Sequence, residues 1–159
     1  MTRPIYTFGY EGLTIDRFVA RLLSAGMDLV IDVRATPLSR KRGFSKVAFE
    51  KALAEAGISY VHASSMGCPK DVRDRYKRDG SWSIYTAGFM TFLRGQDSSV
   101  AEVAKLAQSK NACLVCFEAD YNFCHRMFVA RAIARKSGCD VIHLTDRTEI
   151  VESLGAVAA

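Results

Sequence analysis

The stretch "ACLVCFEADYNFCHRMFVARAIARKSG" (112–138) joins an apolar run, a short polar segment and a longer amphipathic run. The apolar part, "ACLVCFE", predicts a strand that is buried on both faces. The part that starts at Cys124 has apolar residues at helical spacing and ends at Gly138, a residue that commonly closes helices. A buried strand followed by a helix is the repeating unit of parallel α/β sheets.

The same alternation extends along the rest of the chain. Further strands are predicted at "IYTFGY", "DLVIDVR", "SYVHA" and "DVIHL". Further helices are predicted at residues 14–26, with Thr14 as the N-cap, and at 45–57, 84–95, 99–110 and 147–155. We therefore predict an α/β fold, with a mostly parallel sheet of about five strands and helices on both faces.

The 159 residues are enough for one domain with a proper core, so we predict a single α/β domain over residues 1–159. Residues 64–83 break the alternation and predict an irregular insertion or lid, with a solvated insertion as the alternative. The net charge of +5 favours an anionic, phosphate-bearing ligand or a nucleic acid as partner. The short apolar runs and the absence of a signal-peptide core lead us to expect no membrane partner and a cytoplasmic location.

Polar residues concentrate in the segments that follow the predicted strands. In parallel α/β sheets, ligands bind beyond the carboxyl ends of the strands, so we expect these segments to form one rim. The segments are 9–12, 32–40, 62–67, 116–126 and 145–147.

The segment "CFEADYNFCHR" (116–126) contains the candidate catalytic residues. If Asn122 is the helix N-cap, the next backbone N–H groups form an anion site. Cys124, beside that helix end and next to His125, lies where a thiol pKa is lowered and a nucleophile results. Glu118 ends the strand and is suited to general acid–base work. We take Glu118, Cys124 and His125 as catalytic candidates; the alternative is that they serve packing, capping and arginine binding.

Arginines supply the candidate anion-binding groups. Arg126, in the first turn of the predicted helix, opposes the helix dipole, which an anionic ligand or a nearby carboxylate would explain. The segment "DVRATPLSR" adds two guanidinium groups and hydroxyl groups that suit a phosphate. The predicted anion-binding residues are Arg34, Ser39, Arg40 and Arg126. The alternative is a structural Asp32–Arg34 pair beside a basic surface turn.

The five cysteines predict free thiols in a reducing compartment rather than a disulfide framework. Cys113 and Cys116 lie three residues apart on one strand, so their side chains project to opposite faces and do not form a zinc pair. We predict neither a metal nor another cofactor. A metal site made of Cys116, Cys124 and His125 together stays open as an alternative.

Four segments carry a resemblance to a known family: "TFGYEGLTIDRFVARLL", "DVRATPLSR" with "GFSK", "AGISYVHASSMG" and "CFEADYNFCHR". Together they resemble the bacterial and archaeal family catalogued as domain of unknown function 488. The resemblance runs nearly end to end, and its most diagnostic part is the Cys-x-Glu strand end followed by Cys-His-Arg. It implies a Rossmann-like three-layer sandwich and no particular reaction. The matching positions are Arg34, Ser39, Arg40, Cys116, Glu118, Cys124, His125 and Arg126.

A looser resemblance is to rhodanese and its phosphatase relatives, with Cys116 and Arg126 in the places of their cysteine and arginine. The loop between the two residues is longer here and lacks the glycine of those enzymes. Three functions therefore stay open: an enzyme acting on a nucleotide or nucleic-acid substrate, a non-catalytic nucleic-acid-binding module, and a rhodanese-like thiol sulfurtransferase.

Overall fold

The computed structural model describes residues 2–153, which form a six-stranded sheet flanked by helices. The strands are β1 (Ile5–Gly9), β2 (Leu29–Asp32), β3 (Ser59–His62), β4 (Ala112–Cys116), β5 (Val141–Leu144) and β6 (Glu149–Glu152). They lie in the order β3-β2-β4-β1-β5-β6. Strands β1 to β5 are mutually parallel and β6 is antiparallel to β5. The predicted α/β fold with a mostly parallel sheet is confirmed.

Six helices connect the strands within the described residues. They are α1 (Ile15–Ser24), α2 (Lys46–Glu55), α3 (Lys70–Asp79), α4 (Trp82–Arg94), α5 (Asp97–Ser109) and α6 (Arg126–Ser137). The predicted cap of α1 is confirmed, because the hydroxyl of Thr14 accepts the backbone N–H of Arg17. Gly138 ends α6 with a φ of +69°, a backbone conformation that glycine adopts without strain.

The core has two clusters, one on each face of the sheet. Successive residues of a strand point to opposite faces. In β4, Cys113 and Val115 pack in the cluster that contains the apolar residues of α1 and α2. Leu114 and Cys116 pack in the cluster that contains those of α4, α5 and α6. The prediction that Cys113 and Cys116 face opposite ways is therefore confirmed, and it places the sulfur of Cys116 on the α4–α6 side.

The chain after β5 forms a strand, so the helix predicted at residues 147–155 is wrong for its described part; residues 154 and 155 lie outside the described residues. Strand β6 pairs with the edge of β5, where backbone groups are available. Ile150 and Val151 are exposed, so no buried helical face exists here. Glu152 fixes the strand instead, through an ion pair with Arg131 and a hydrogen bond with His143.

Residues 64–83, predicted as irregular, contain a short 3₁₀ turn, all of α3 and the start of α4. Helix α3 has no buried residue. Ion pairs four residues apart support it instead, between Lys70 and Asp74 and between Arg75 and Asp79. Only Val72 and Tyr76 pack, partly buried, against the core, and two residues are too few to show a helical periodicity in the sequence.

The predicted N-cap at Asn122 is also wrong. Asn122 lies inside a 3₁₀ turn, Tyr121–Phe123, which the carboxylate of Asp120 caps by accepting the Asn122 N–H at 2.9 Å. Helix α6 begins at Arg126, and the side chain of His125, in the cap position, makes no capping bond.

Among the described residues, no helix is long and apolar enough to cross a bilayer.

Candidate functional site

A cavity of about 350 Å³ lies between the carboxyl ends of the central strands and the helices α3 and α4. The segments after β1, β2 and β4 line one side with Tyr10, Arg34, Ala35, Thr36, Leu38, Ser39, Cys116, Phe117, Glu118, Phe123 and His125. The other side is lined by Cys68, Arg73, Tyr76, Lys77, Trp82 and Tyr85. Three segments of the predicted rim, 9–12, 32–40 and 116–126, thus meet at this cavity. The segments 62–67 and 145–147 contribute none of its lining residues.

Two thiols, an imidazole and a carboxylate form a cluster on the strand side of the cavity. The Sγ atoms of Cys116 and Cys124 lie 3.9 Å and 4.0 Å from Nδ1 of His125. The Sγ of Cys116 also lies 3.6 Å from Oε2 of Glu118. Cys116, Glu118 and His125 line the cavity, whereas Cys124 lies behind them and is almost fully buried. The structure therefore brings the three catalytic candidates together and adds Cys116 as the sulfur nearest to the cavity.

The backbone fixes the proton arrangement of the His125 ring. Nε2 of His125 lies 2.7 Å from the carbonyl oxygen of Val33. A carbonyl oxygen only accepts hydrogen bonds, so Nε2 carries a proton. In the neutral ring, Nδ1 is then unprotonated, and its lone pair faces the two sulfurs.

The titration of the cluster is strongly shifted. Burial, followed by the charge of Cys124, raises the pKa of the Glu118 carboxyl to about 7. Burial opposes ionisation of Cys124, but hydrogen bonding with Cys116 and with His125, which donates from Nδ1 when its ring is protonated, and the charge of Arg126 lower the pKa of Cys124 well below the usual value. The hydrogen bond to Cys124, with burial, raises the pKa of Cys116. The thiol pair therefore loses its first proton readily and its second with difficulty.

Arg126 is completely buried and does not line the cavity. Its Nη1 donates to the carbonyl oxygen of Glu118, and its Nη2 donates to that of Ala119 at 3.3 Å. Its Nε has no hydrogen-bond partner among the described residues. Arg126 therefore ties the loop after β4 to the start of α6, and this role explains its unfavourable place in the helix dipole.

Arg34 is also occupied by internal partners. Its Nε and Nη2 donate to the two carboxylate oxygens of Asp32 at 2.9 Å and 2.7 Å. Its Nη1 donates to the carbonyl oxygen of Phe44 at 2.6 Å and to the hydroxyl of Tyr10 at 3.1 Å. Arg34 thus forms the structural pair with Asp32, while one edge of its side chain lines the cavity.

Of the remaining two predicted anion-binding residues, one lines the cavity and the other does not. Ser39 lines it, and its hydroxyl accepts the backbone N–H of Lys41 at 3.0 Å, which leaves the hydroxyl proton free to donate. Arg40 is exposed and is not among the lining residues.

Cations and aromatic rings of the 64–83 segment, for which the sequence favours solvated charges over contact with a phosphate, line the second wall of the cavity. Arg73, Tyr76 and Lys77 lie three and four residues apart, so a helix places them on one face, and this face lines the cavity. Nε of Arg73 donates to the carbonyl oxygen of Cys68 at 3.0 Å, whereas Lys77 forms no salt bridge or hydrogen bond among the described residues. The ring of Trp82 stacks on that of Tyr85, with 4.6 Å between centroids. A helical interpretation of residues 70–79 would have revealed this second wall.

Among the described residues, one group of potential metal ligands stands out: Cys116, Cys124 and His125, whose ligand atoms all lie within 4.8 Å of one another. These are the residues that the sequence left open as an alternative metal site.

A family model described as Domain of unknown function DUF488 matches residues 14–133. The chain belongs to this family. The resemblance inferred from the four sequence motifs is thereby confirmed, and all the candidate site residues lie in the matched range of the DUF488 chain. No curated protein and no solved structure was similar enough to count as a match. A fold can serve unrelated functions, so the function of this DUF488 protein has to be argued from its site.

Proposed function

We propose that this protein is an enzyme that hydrolyses a phosphate-bearing ligand of the nucleotide class in the cavity above β1, β2 and β4. The observation that carries the proposal is that Cys116, Glu118 and His125 meet on one side of a cavity whose other side has cations and aromatic rings. An uncharacterised cavity with converging polar groups is the default candidate for an active site. The proposal includes the Rossmann-like three-layer architecture, in which ligands bind at this edge of the sheet.

The lining of the cavity suits a flat ring joined to an anion. Tyr76, Trp82 and Phe123 offer ring faces or edges, and Phe123 is half-exposed at the mouth. Arg73 and Lys77 supply positive charge on the same side. The cavity volume of about 350 Å³ falls in the range of small-molecule sites, roughly 300–1,000 Å³. Rings stack on nucleobases and cations bind phosphate, so a nucleotide matches both features.

The positions of the side chains relative to the cavity indicate which residues take part in catalysis. The carboxyl of Glu118 reaches the cavity, so we assign the proton transfers to it. The ring of His125 lines the same side but donates through Nε2 to Val33 and faces the thiols through Nδ1, so we assign it the positioning of the two cysteines, with Cys124 behind it. Arg126 holds the loop that carries Glu118, and Arg34 holds the loop after β2, which contains Ser39. Ser39 lines the cavity and the exposed Arg40 follows it in the chain, so we assign them the outer part of a longer phosphate-bearing ligand.

The single tryptophan of the chain provides a direct binding test, because Trp82 lines the cavity. We expect AMP to quench its fluorescence at lower concentration than adenosine or inorganic phosphate. Lys77→Ala should weaken AMP roughly tenfold or more, since a hydrogen bond to a charged group contributes about 1.5–3 kcal/mol. The matched control is Lys51→Ala on the exposed surface of α2, which should leave binding unchanged. The proposal that the cavity binds a nucleotide would be overturned if the two substitutions changed AMP affinity equally. It would also be overturned if neither AMP, ATP nor a single-stranded oligonucleotide quenched the fluorescence.

Glu118→Gln separates catalysis from binding. With AMP, ATP and the oligonucleotide as probes, and products separated by chromatography, we expect turnover to fall about 10²–10⁴-fold while the quenching of Trp82 persists. Unchanged turnover in Glu118→Gln would refute the catalytic role. Tight, steeply salt-dependent binding of the oligonucleotide without turnover would show that the protein is a non-catalytic nucleic-acid-binding module and not an enzyme.

A further inference from the structure

We propose that Cys116, Cys124 and His125 bind one divalent ion of the zinc class. Two thiolates and a neutral imidazole are the donors that zinc prefers. The three ligand atoms are Sγ of Cys116, Sγ of Cys124 and Nδ1 of His125, and they lie within 4.8 Å of one another. A set of two cysteines and one histidine is a known type of catalytic zinc site, with a fourth position left open.

The spacing of the ligand atoms is close to that of a tetrahedral ion. Zinc–sulfur bonds of about 2.3 Å and zinc–nitrogen bonds of about 2.0–2.1 Å place sulfur and nitrogen roughly 3.6 Å apart. The two measured distances from Nδ1 of His125 are 3.9 Å to Cys116 and 4.0 Å to Cys124. Both sulfurs are therefore almost equally far from the nitrogen, each within a few tenths of an ångström of the tetrahedral spacing, and the two sulfurs lie within 4.8 Å of each other.

The surroundings of His125 are those of a metal ligand. A histidine that binds a metal through one ring nitrogen almost always donates its other N–H to a carbonyl or carboxylate oxygen. Here Nε2 of His125 donates to the carbonyl oxygen of Val33 at 2.7 Å, so Nδ1 is left to coordinate. The ring is buried at the start of α6 and Cys116 lies at the end of β4, so rigid elements hold both ligands.

The open position would face the cavity. Cys116 and His125 line the cavity, and Cys124 closes the cluster on the buried side. The carboxylate of Glu118 lies on the same side, 3.6 Å from the sulfur of Cys116. This part rests on the proposed function: a water or substrate oxygen in the open position would lie next to the carboxyl that we assign to proton transfer. Ion binding itself does not depend on that function.

The other buried cysteines provide matched controls. Cys113 points to the opposite face of the sheet. Cys68 lines the same cavity but is not one of the three clustered ligands, and burial raises the pKa of its thiol to about 11. The proposed ion site is therefore defined by the two cysteines that lie next to His125, and not by the number of buried thiols.

The test uses the full chain without an affinity tag, reduced and stripped with a chelator. Zinc is titrated against a chromophoric chelator, and cobalt is added as a spectroscopic probe. We expect one zinc per chain, a thiolate-to-cobalt charge-transfer band, and a rise in the melting temperature on zinc binding. Cys124→Ala and Cys116→Ala should weaken zinc at least 100-fold, whereas Cys68→Ala should keep wild-type affinity. Circular dichroism of each variant verifies that it is folded. If Cys124→Ala does not fold, Cys124→Ser replaces it in the zinc titration.

Absence of stoichiometric zinc binding, or binding that survives in Cys116→Ala and Cys124→Ala, would overturn the proposal. Alkylation of Cys116 at the same rate with and without zinc would do the same and would favour thiol chemistry. The two proposals fail separately. Zinc binding without nucleotide turnover refutes only the proposed function, and turnover by a metal-free chain that zinc does not bind refutes only the ion site.

Discussion

Two buried guanidinium groups hold the candidate site in place by different means. Arg34 is balanced by the carboxylate of Asp32, which its side chain binds with two parallel hydrogen bonds. Arg126 has carbonyl oxygens as its hydrogen-bond partners, on Glu118 and Ala119. Its charge also lowers the pKa of Cys124. The first arginine therefore shapes the loop after β2, and the second shapes both the loop after β4 and the charge of the thiol cluster.

Replacing Asp32 by Asn should destabilise the protein by about 3–5 kcal/mol, because the buried charge of Arg34 would lose its counter-charge. Asp32 is fully buried and also accepts a hydrogen bond from the hydroxyl of Tyr60 at 2.6 Å. Urea denaturation measures the effect. Asp146→Asn is the control, since it breaks a pair with Arg17 of similar length that is exposed to water. If Asp32→Asn lowers the free energy of unfolding no more than Asp146→Asn does, the buried Asp32–Arg34 pair is not what holds the loop after β2.

Gly9→Ala should displace the loop that carries Glu118. A Cβ atom on Gly9 would lie 1.8 Å from the carbonyl oxygen of Glu118 and 3.0 Å from Nη1 of Arg126. We expect a cost of at least about 1–3 kcal/mol, typical of overpacking, together with weakened ligand binding in the Trp82 assay. Gly95→Ala is the control, because its Cβ would meet its nearest neighbour at an ordinary 3.4 Å. Wild-type stability and binding in Gly9→Ala would contradict this account of the loop.

At the scale of elements, the sequence predicts those whose burial is visible in the residue pattern. Strands β2 and β4 are buried throughout, so they appear as unbroken apolar runs. Helix α3 combines ion pairs four residues apart with only two partly buried apolar residues, and β6 is anchored by Glu152, so neither leaves a clear apolar pattern. The cluster of Glu118, Cys124 and His125 could be predicted from the sequence, because all three residues lie in the segment that follows a single strand, β4. The wall with Arg73 and Lys77 depends on recognising α3, and the internal partners of Arg34 and Arg126 depend on tertiary contacts.

Helix α3 should open more readily than the sheet. None of its residues is fully buried and only Val72 and Tyr76 pack against the core, whereas every residue of β4 is buried, so local unfolding of α3 exposes less apolar surface than loss of β4. We expect amide hydrogens of Lys70–Asp79 to exchange with deuterium orders of magnitude faster than those of Ala112–Cys116. Saturating AMP should slow exchange in α3, because Arg73 and Lys77 face the cavity. Equal exchange in both elements would contradict the stability argument; no slowing with bound AMP would contradict the placement of the ligand.

At the scale of the whole molecule, the strand order explains why the site residues meet. Strand β4 lies between β2 and β1, although the chain reaches it last of the three. Because all three are parallel, the segments that follow them share one edge of the sheet. The far edge, at β5 and β6, has no part in the cavity lining and carries a second polar network around His143.

That network should make the stability of the molecule depend on pH. The His143 ring contacts the hydroxyl of Thr7 through Nδ1 at 2.7 Å and the carboxylate of Glu152 through Nε2 at 2.9 Å. Burial lowers the pKa of His143 below its usual value, and the charges of Arg126 and Arg131 add to this against the opposing effect of Glu152. The folded chain thus binds the His143 proton less readily than the unfolded chain.

The sign of the pH effect follows from that difference. A histidine whose pKa is lower in the folded state contributes its full stability above the unfolded pKa, about 6.5, and loses it as the pH falls towards the folded value. Glu152 acts in the same direction at lower pH: burial opposes its ionisation, but Arg131 and His143 lower its pKa overall. As the pH falls, the contribution of His143 to the stability is therefore lost first, and that of Glu152 is lost in a separate, lower pH window.

Glu118, whose pKa is raised to about 7, shifts the urea midpoint of both the wild type and His143→Gln in the direction opposite to that of His143 as the pH falls. We therefore expect the wild type to lose stability relative to His143→Gln as the pH is lowered from about 7.5 to 5.5. The difference at pH 7.5, where the ring is neutral in both states, measures the loss of packing and hydrogen bonds alone. The change in that difference between the two pH values measures the titration. Parallel pH profiles for the two proteins would mean that His143 titrates alike in the folded and unfolded states, and that the network at the β5–β6 edge is not pH-sensitive.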